Sequence, residues 1–292
     1  MTILAAVGLG YCARHLVTTR GAAFSGVIAT ARGPEGMARM PRDVQAFQFD
    51  GETLSPQLAE ALATADVLIA SAPPDAAGDP LLRLAAEVLG SGRLRQVIYL
   101  TTLGVYGDHG GAWVDEATPP RAGTGRLERR LQAEAAWFEF GRRYGKAVAV
   151  LRLAGIYGPG RNVLAQLAAG EAKIIARAGQ VFNRIHVEDI SRAIEAVMAQ
   201  NFTGVLNVAD DLPTAPGEPV IYGAKLLGCE PPPIVPFEEA ARTMSPMALS
   251  FWGASKRVSN RRLKDELGVE LAFPTYREGL DALASAGEGR AV

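Results

Sequence analysis

The residues best suited to chemistry stand at the start of the chain, in Gly8-Leu9-Gly10-Tyr11-Cys12-Ala13. The spacing is G-x-G-x-x-A. Glycine at position 8 lets the chain turn tightly out of a strand. Glycine at 10 has no Cβ, so backbone can approach a phosphate, and alanine at 13 is small enough for close helix–strand packing. A helix opening there presents unpaired N–H groups and the positive end of its dipole to an anion. The run Ile3 to Val7 before it is apolar, and Tyr11 to Arg20 reads as a helix, which is the context that gives the motif meaning. The chemistry is the holding of a nicotinamide dinucleotide, with Gly8, Gly10, Tyr11, Cys12 and Ala13 as its expected contacts.

Cofactor choice is read at the end of the second strand, where NAD binders place Asp or Glu on the ribose hydroxyls. Here the stretch is Ile28-Ala29-Thr30-Ala31-Arg32, without an acid. Thr30 can donate a hydrogen bond, and Arg32 can meet a 2′-phosphate through a bidentate contact. The plainer reading of Arg32 is a solvated loop cation. NADP is therefore favoured, with NAD still admitted. Asp50, ending the third strand, either contacts the adenine amino group or is a turn residue before Gly51.

Positioning these groups takes alternating strands and helices. Strands are expected at Ile3 to Val7, Gly26 to Thr30, Gln45 to Phe49, Val67 to Ala70, Gln96 to Thr101 and Ala147 to Leu153. Helices are expected at Tyr11 to Arg20, Pro56 to Ala63, Asp79 to Leu89 and about Gly125 to Tyr144, with Asp79 as N-cap before Pro80. The strand runs are almost continuously apolar, as strands buried on both faces are. Strand–helix–strand order implies parallel pairing. The fold class is α/β, a doubly wound parallel sheet of Rossmann type with a smaller C-terminal substrate lobe. Residues 1–160 form the dinucleotide domain, with returning segments near 183–210, notably Val205 to Val208 and the helix after Asp189. Residues 161–292 form mainly the lobe. The piece Lys256-Arg257-Val258-Ser259-Asn260 reads as lobe surface.

The bulk numbers limit the alternatives. With 292 residues, 48% of them hydrophobic, and a net charge of −1, the chain suits one large domain or a domain with an appendage, and offers no basic surface for nucleic acid. Its two cysteines, Cys12 and Cys229, exclude a disulfide framework and leave no metal spacing, so no metal is expected. No apolar run approaches the roughly 20 residues that span a bilayer. The expectation is a soluble, cytoplasmic protein with a small-molecule substrate and no nucleic-acid or membrane partner.

Three further stretches carry a family resemblance: Thr101-Thr102-Leu103-Gly104-Val105-Tyr106-Gly107, Leu151 to Gly160, and Arg184-Ile185-His186-Val187-Glu188-Asp189. With the amino-terminal glycines they resemble the extended short-chain dehydrogenase/reductases, which include the NAD(P)-dependent nucleotide-sugar epimerases and dehydratases. The shortened glycine motif looks most like the atypical branch. The resemblance runs from about Ile3 to Asp211. It implies that Ser71, Ala72, Pro73 and Thr101 line the cofactor, that Thr102 hydrogen-bonds a substrate oxygen, and that Tyr106 flanks the pocket. It also implies that His186 and Asp189 are structural, with Asp189 capping the following helix. A homodimer through the long helix would fit the superfamily.

One departure matters. Active members carry Y-x-x-x-K, with the Tyr as acid/base and the Lys lowering its pKa and holding the ribose. Anchoring on Glu134 puts Arg130 at the Lys position and Arg126 at the Tyr position. Arg stays protonated, so Arg126 cannot act as a base, whereas Arg130 can serve as a fixed cation. Two functions compete. One is an NAD(P)-dependent oxidoreductase or epimerase/dehydratase-like enzyme on a sugar-like or nucleotide-sugar substrate, using Thr102, Tyr106 and Arg130. The other is a non-catalytic NADP-binding or redox-sensing protein. Of three histidines, His109 lies in the loop after the fifth strand and is the one to consider as a proton donor. Arg152, Arg161 and Arg184 could meet substrate phosphates, although an arginine in a buried strand more often satisfies a structural carboxylate. Trp113 could stack on a base or sugar.

Overall fold

The computed structural model describes residues 2–123 and 125–290. Apolar runs and capped amphipathic segments give, in chain order, β1 (Ile3–Val7), α1 (Tyr11–Arg20), β2 (Gly26–Ala31), α2 (Pro34–Ala38), β3 (Gln45–Gln48), α3 (Pro56–Thr64), β4 (Val67–Ala70), α4 (Pro80–Ser91), β5 (Gln96–Thr102), β6 (Trp113–Val114), α5 (Gly125–Tyr144) and β7 (Ala147–Leu153). Then follow β8 (Gly155–Tyr157), α6 (Val163–Ala168), β9 (Ile174–Ala176), β10 (Arg184–His186), α7 (Val187–Ala199), β11 (Gly204–Val208), α8 (Glu218–Leu227), β12 (Ile234–Pro236), α9 (Phe237–Ala240), α10 (Pro246–Trp252), β13 (Arg257–Val258), α11 (Arg261–Asp265) and α12 (Tyr276–Ser285).

Seven strands form one sheet in the order β11-β7-β5-β4-β1-β2-β3. The strand order reverses beside β1, which pairs in parallel with β2 on one side and β4 on the other. Ligands of open α/β sheets bind outside the carboxyl ends of the strands at such a switch point. The fold is the expected doubly wound Rossmann-type sheet.

Two compact units share the chain. The first comprises Met1–Val105, Ala122–Arg152 and Ser191–Leu206; the second comprises Tyr106–Arg121, Leu153–Ile190 and Asn207–Val292. The first unit therefore gives up residues 106–121, closes at Arg152, and regains a shorter returning segment than the 183–210 read from the sequence. In it, Ala5, Val7, Leu68, Ala70, Val97, Tyr99, Val148 and Val150 join a core with Leu58, Leu62, Leu89, Trp137 and Phe140 of α3, α4 and α5. The alternate residues Leu4, Ala6, Ile69, Ile98, Ala149 and Leu151 are also buried. Burial on both faces is why these strands read as continuous apolar runs. In the second unit, Tyr157, Leu164, Tyr276, Leu280 and Leu283 form a separate core, and its short strands pair as β10–β8, β12–β9 and β13–β6. Among the described residues, no helix is long and apolar enough to cross a membrane.

Polar groups fix the first unit where apolar packing cannot. Asp79 Oδ1 accepts from Leu81 N at 2.9 Å and Leu82 N at 3.2 Å, capping α4 as expected. Its Oδ2 accepts from Trp137 Nε1 at 3.1 Å, tying α4 to α5. Arg152 of β7 and Glu134 of α5 form a buried ion pair, 2.7 Å from Nη2 to Oε2. Arg152 is thus held by a structural carboxylate and is removed as a phosphate ligand.

Candidate active site

The glycine turn of the first unit is locked from both neighbouring strands. Gly8 has φ +85°, a conformation L side chains rarely adopt. Its N–H donates to Thr30 Oγ1 of β2 at 2.9 Å, and its carbonyl accepts from Ser71 Oγ, just past β4, at 2.6 Å. Leu9 N donates to Thr30 O at 2.9 Å. A Cβ on Gly8 would lie 3.0 Å from Ser71 Oγ, so this glycine is required by the protein itself. Gly10 differs. It is exposed, and a Cβ there would meet only Gly8 O, at 3.9 Å. Nothing inside the protein asks for glycine at 10, whereas a phosphate approaching the backbone would. Helix α1 starts at Tyr11, and its N-cap, Gly10, has no side chain to cap it. Cys12 and Ala13 are buried beneath it. At the end of β5, Thr101 Oγ1 is buried and has no hydrogen-bond partner among the described residues. An open glycine at the N-cap of α1 and an orphaned hydroxyl at the strand ends fit a dinucleotide.

Two expected contacts take other duties. Thr30 is 1% exposed and holds the turn from below, so it shapes the cradle instead of facing a 2′-phosphate. Asp50 Oδ1 accepts from Glu52 N at 2.8 Å and Thr53 N at 3.3 Å. Those two bonds, Glu52 first, hold its carboxyl below the usual range. Its role is the turn before Gly51, which has φ +93°. Arg32 has an exposed side chain, and its carbonyl accepts from Gln48 Nε2 at 3.3 Å. Ser71 and Ala72 are half-buried and Pro73 is exposed.

Near the end of β5, Thr102 is half-buried, and its Oγ1 accepts from Gly104 N at 3.1 Å. The hydroxyl hydrogen is thus left to donate elsewhere. Arg130 of α5 is half-buried and turned toward β5, its Nη1 3.3 Å from Tyr99 Oη and 3.4 Å from Leu100 O. Burial pushes the Tyr99 phenol up to about 12, with Arg130 opposing, so this tyrosine stays protonated near neutral pH. Arg130 is a fixed cation beside the carboxyl end of β5.

Tyr106 belongs to the second unit. It is fully buried, and its hydroxyl donates to Asn207 Oδ1 at 2.8 Å. This geometry makes it a post within that unit. Next to it, His109 Nε2 lies 3.1 Å from Tyr106 O. Lys256, read from the sequence as surface, is 8% exposed, and its Nζ donates to Gly107 O at 2.9 Å. The sequence carried no local signal for this: β13 pairs with the distant β6, with Arg257 opposite Trp113 and Val258 opposite Val114, and two-residue strands leave no periodicity to read. Trp113 is 62% exposed, open for stacking.

The tract around β10 has structural duties. His186 Nδ1 accepts from Glu188 N at 3.1 Å at the head of α7. Asp189 accepts from Ala272 N at 2.6 Å and Phe273 N at 3.1 Å, so it clamps the late chain. Arg161 is exposed. Arg184 donates to Thr214 Oγ1 at 2.7 Å and Phe182 O at 3.3 Å. Near Arg184, Asp210 is 2% exposed, and its Oδ2 lacks a hydrogen-bond partner among the described residues. Burial pushes its carboxyl up to about 8, against the Leu212 N–H and the Arg184 charge.

Between an unfolded value near 3.8 and about 8, the folded protein keeps a proton that the unfolded chain releases. This group's contribution to stability is therefore complete below the unfolded value and is lost as pH rises through the folded one. Asp210→Asn is expected to flatten the fall in urea midpoint between pH 5 and pH 8. An unchanged slope removes Asp210 as its source.

The model of the NAD dependent epimerase/dehydratase family matches residues 78–209 of the chain. It is 39% identical to a functionally unknown conserved protein from Silicibacter pomeroyi DSS, with a TM-score of 0.87 over 99% of this chain and 100% of that one. It is 29% identical over 290 residues to Protein YeeZ of Escherichia coli (strain K12), covering 94% of this chain and 97% of that protein. The human epimerase family protein SDR39U1, solved with NADPH, shares the fold at 17% identity, with a TM-score of 0.73 over 97% of this chain and 99% of that one.

Proposed function

We propose that the protein is an NADP-dependent oxidoreductase or epimerase/dehydratase-like enzyme acting on a sugar-like substrate, nucleotide sugars included. The observation that carries this is the glycine turn: rigidly held at Gly8, open at Gly10, and leading into helix α1. The backbone of Gly10 to Ala13 would hold the pyrophosphate. The exposed Arg32 would hold the 2′-phosphate, and NADPH in the human family member of the same fold agrees with that choice. Ser71, Ala72, Pro73 and the orphaned Thr101 hydroxyl would line the remainder. When bound, the dinucleotide supplies hydride transfer at its nicotinamide. Thr102 donates to a substrate oxygen, and Arg130 supplies a fixed positive field for negative charge developing there.

A second reading, an NADP-binding or redox-sensing protein without turnover, is supported by the sequence reading anchored on Glu134, which puts Arg126 and Arg130 at the Tyr and Lys positions of the group the chain resembles. A screen of nicotinamide absorbance with UDP-glucose, UDP-glucuronic acid and free aldoses separates the two. Turnover of a panel member, lowered about 100-fold by Thr102→Val as loss of one aimed donor should lower it, supports the enzyme. NADPH binding with no turnover across the panel supports the sensor.

A further inference from the structure

The first two turns of α5 carry Arg126, Arg129 and Arg130, all half-buried. Residues three and four apart share a side of a helix, so Arg126 stands one turn from both of the others. Like charges in that arrangement oppose the helix, and partial burial opposes them further. Within the first unit the nearby acids are engaged elsewhere. Glu134, one turn beyond Arg130, is closed in its ion pair with Arg152. Asp75, in the loop after β4, has Arg83 Nη1 3.3 Å from its Oδ1 and Arg83 Nη2 3.3 Å from its Oδ2. The Ala77 N–H first, then Arg83, and Arg129 least, hold the Asp75 carboxyl below its ordinary range, so Arg129 faces that loop without being its partner. Glu128 is exposed. Among the described residues neither Arg129 nor Arg130 has a carboxylate at ion-pair distance. Arg129 Nε is buried without a hydrogen-bond partner among them, and the groups Arg130 meets, Tyr99 Oη and Leu100 O, are neutral.

The place of these cations says whose charge they await. Leu127, between them in sequence, packs on Gly104: a Cβ on that glycine would lie 3.0 Å from Leu127 Cδ2 and 3.3 Å from Thr102 Oγ1. Arg130 Nη1 lies 3.4 Å from Leu100 O. The start of α5 therefore runs along the carboxyl end of β5, beside Thr102. The cradle at Gly8–Ala13 follows β1, and β4 stands between β1 and β5. Two strand spacings, about 10 Å, separate β5 from β1. Arg32 follows β2, on the far side of β1. The pyrophosphate and the 2′-phosphate, as assigned above, thus lie away from β5, and the anion that Arg129 and Arg130 lack is carried by a second molecule.

We propose that Arg129 and Arg130 bind an oxyanion group of the substrate, a carboxylate or a phosphate, beside the oxygen that Thr102 holds. The substrate is then an acidic or phosphorylated sugar, and a neutral aldose is a poor one. Naming this ligand as the substrate rests on the enzymatic reading above. Guanidinium groups suit the task, because each presents paired N–H donors to two oxygens of one anion.

The test needs no turnover. NADP-saturated, nitrogen-15-labelled protein is titrated with glucose, glucuronate and glucose 6-phosphate, followed at the arginine Nε–H signals, with that of Arg129 assigned by its loss in Arg129→Lys. At least one of the two acids should bind about tenfold or more tightly than glucose and shift the Arg129 signal, and which acid does so tells carboxylate from phosphate. Arg129→Gln should erase the preference with NADPH affinity and melting temperature held, whereas Arg129→Lys, which keeps the charge and loses the fork, should retain part of it. Three sugars bound alike, none of the three bound, or a preference that survives Arg129→Gln overturns the proposal and leaves the enzymatic reading to the nicotinamide screen. An acid bound through Arg129, with no member of that screen turned over, overturns the enzymatic reading and the name of substrate with it, while the anion site stands.

Discussion

Replacing Arg152 with Met is expected to destabilise the protein by about 3–5 kcal/mol, because it leaves the Glu134 carboxylate buried without its partner. The pair is closed to solvent, with side-chain exposures of 6% and 5%, and three N···O contacts between 2.7 and 3.5 Å bind it. It joins β7 to α5, the helix that carries Arg126 and Arg130 and that sets Trp137 against Tyr99 at 6.3 Å and Phe140 at 5.5 Å. The double variant Arg152→Met with Glu134→Leu removes both charges and should recover much of the loss, since an apolar pair of similar volume is often neutral in a core. Urea unfolding of the two singles and the double gives the coupling directly. A single variant within about 1 kcal/mol of the parent would mean that the carboxylate finds water or another partner, and the pair would lose its structural standing.

The second large effect concerns the two glycines, which predict opposite outcomes by the same argument. Gly10→Val should abolish most dinucleotide affinity, about 100-fold or ~2.7 kcal/mol, while leaving the melting temperature close to that of the parent. Its backbone, φ −78° and ψ −170°, suits any residue, and a Cβ there meets only Gly8 O at 3.9 Å. The added methyls would occupy space that only a ligand claims. Gly8→Val should lose both affinity and stability, because φ +85° is strained for a branched side chain and Ser71 Oγ lies 3.0 Å from the new Cβ. Thermal unfolding and NADPH titration of the two variants separate the effects. Equal loss of stability in both would place Gly10 in the scaffold and leave the open space above it without meaning.

Legibility of the site followed the range of the forces that build it. Strands β1, β4 and β7 and helices α1 and α5 stand where the apolar runs and flanking glycines put them, because burial on two faces and helix starts are local properties of the sequence. Asp79 was readable as a cap from the Pro80 that follows it, and a carboxylate partner for Arg152 from its place in a buried strand. What could not be read depends on partners far along the chain. Thr30 looked like a ligand contact until Gly8 N was seen resting on it. Asp189 was read only against the helix that follows it, and nothing nearby announces that its carboxylate holds backbone more than eighty residues away. Lys256 looked like surface because its acceptor, Gly107 O, lies 149 positions earlier. Each of these cases concerns a polar side chain with an unseen long-range hydrogen bond, which is the interaction that periodicity carries no trace of.

The central claim is that the Gly8–Ala13 turn holds a phosphorylated nicotinamide dinucleotide, and the most direct measurement is calorimetric titration of the cofactor-stripped protein with NADPH, NADP, NADH and NAD in parallel, repeated on Arg32→Ala. The account predicts that the phosphorylated forms bind about tenfold or more tightly than the others, a difference of ~1.4 kcal/mol, and that Arg32→Ala erases the difference while all four still bind. Absence of binding by any of the four would contradict the reading of the turn, and a preference for NADP that survives Arg32→Ala would contradict the role given to that side chain.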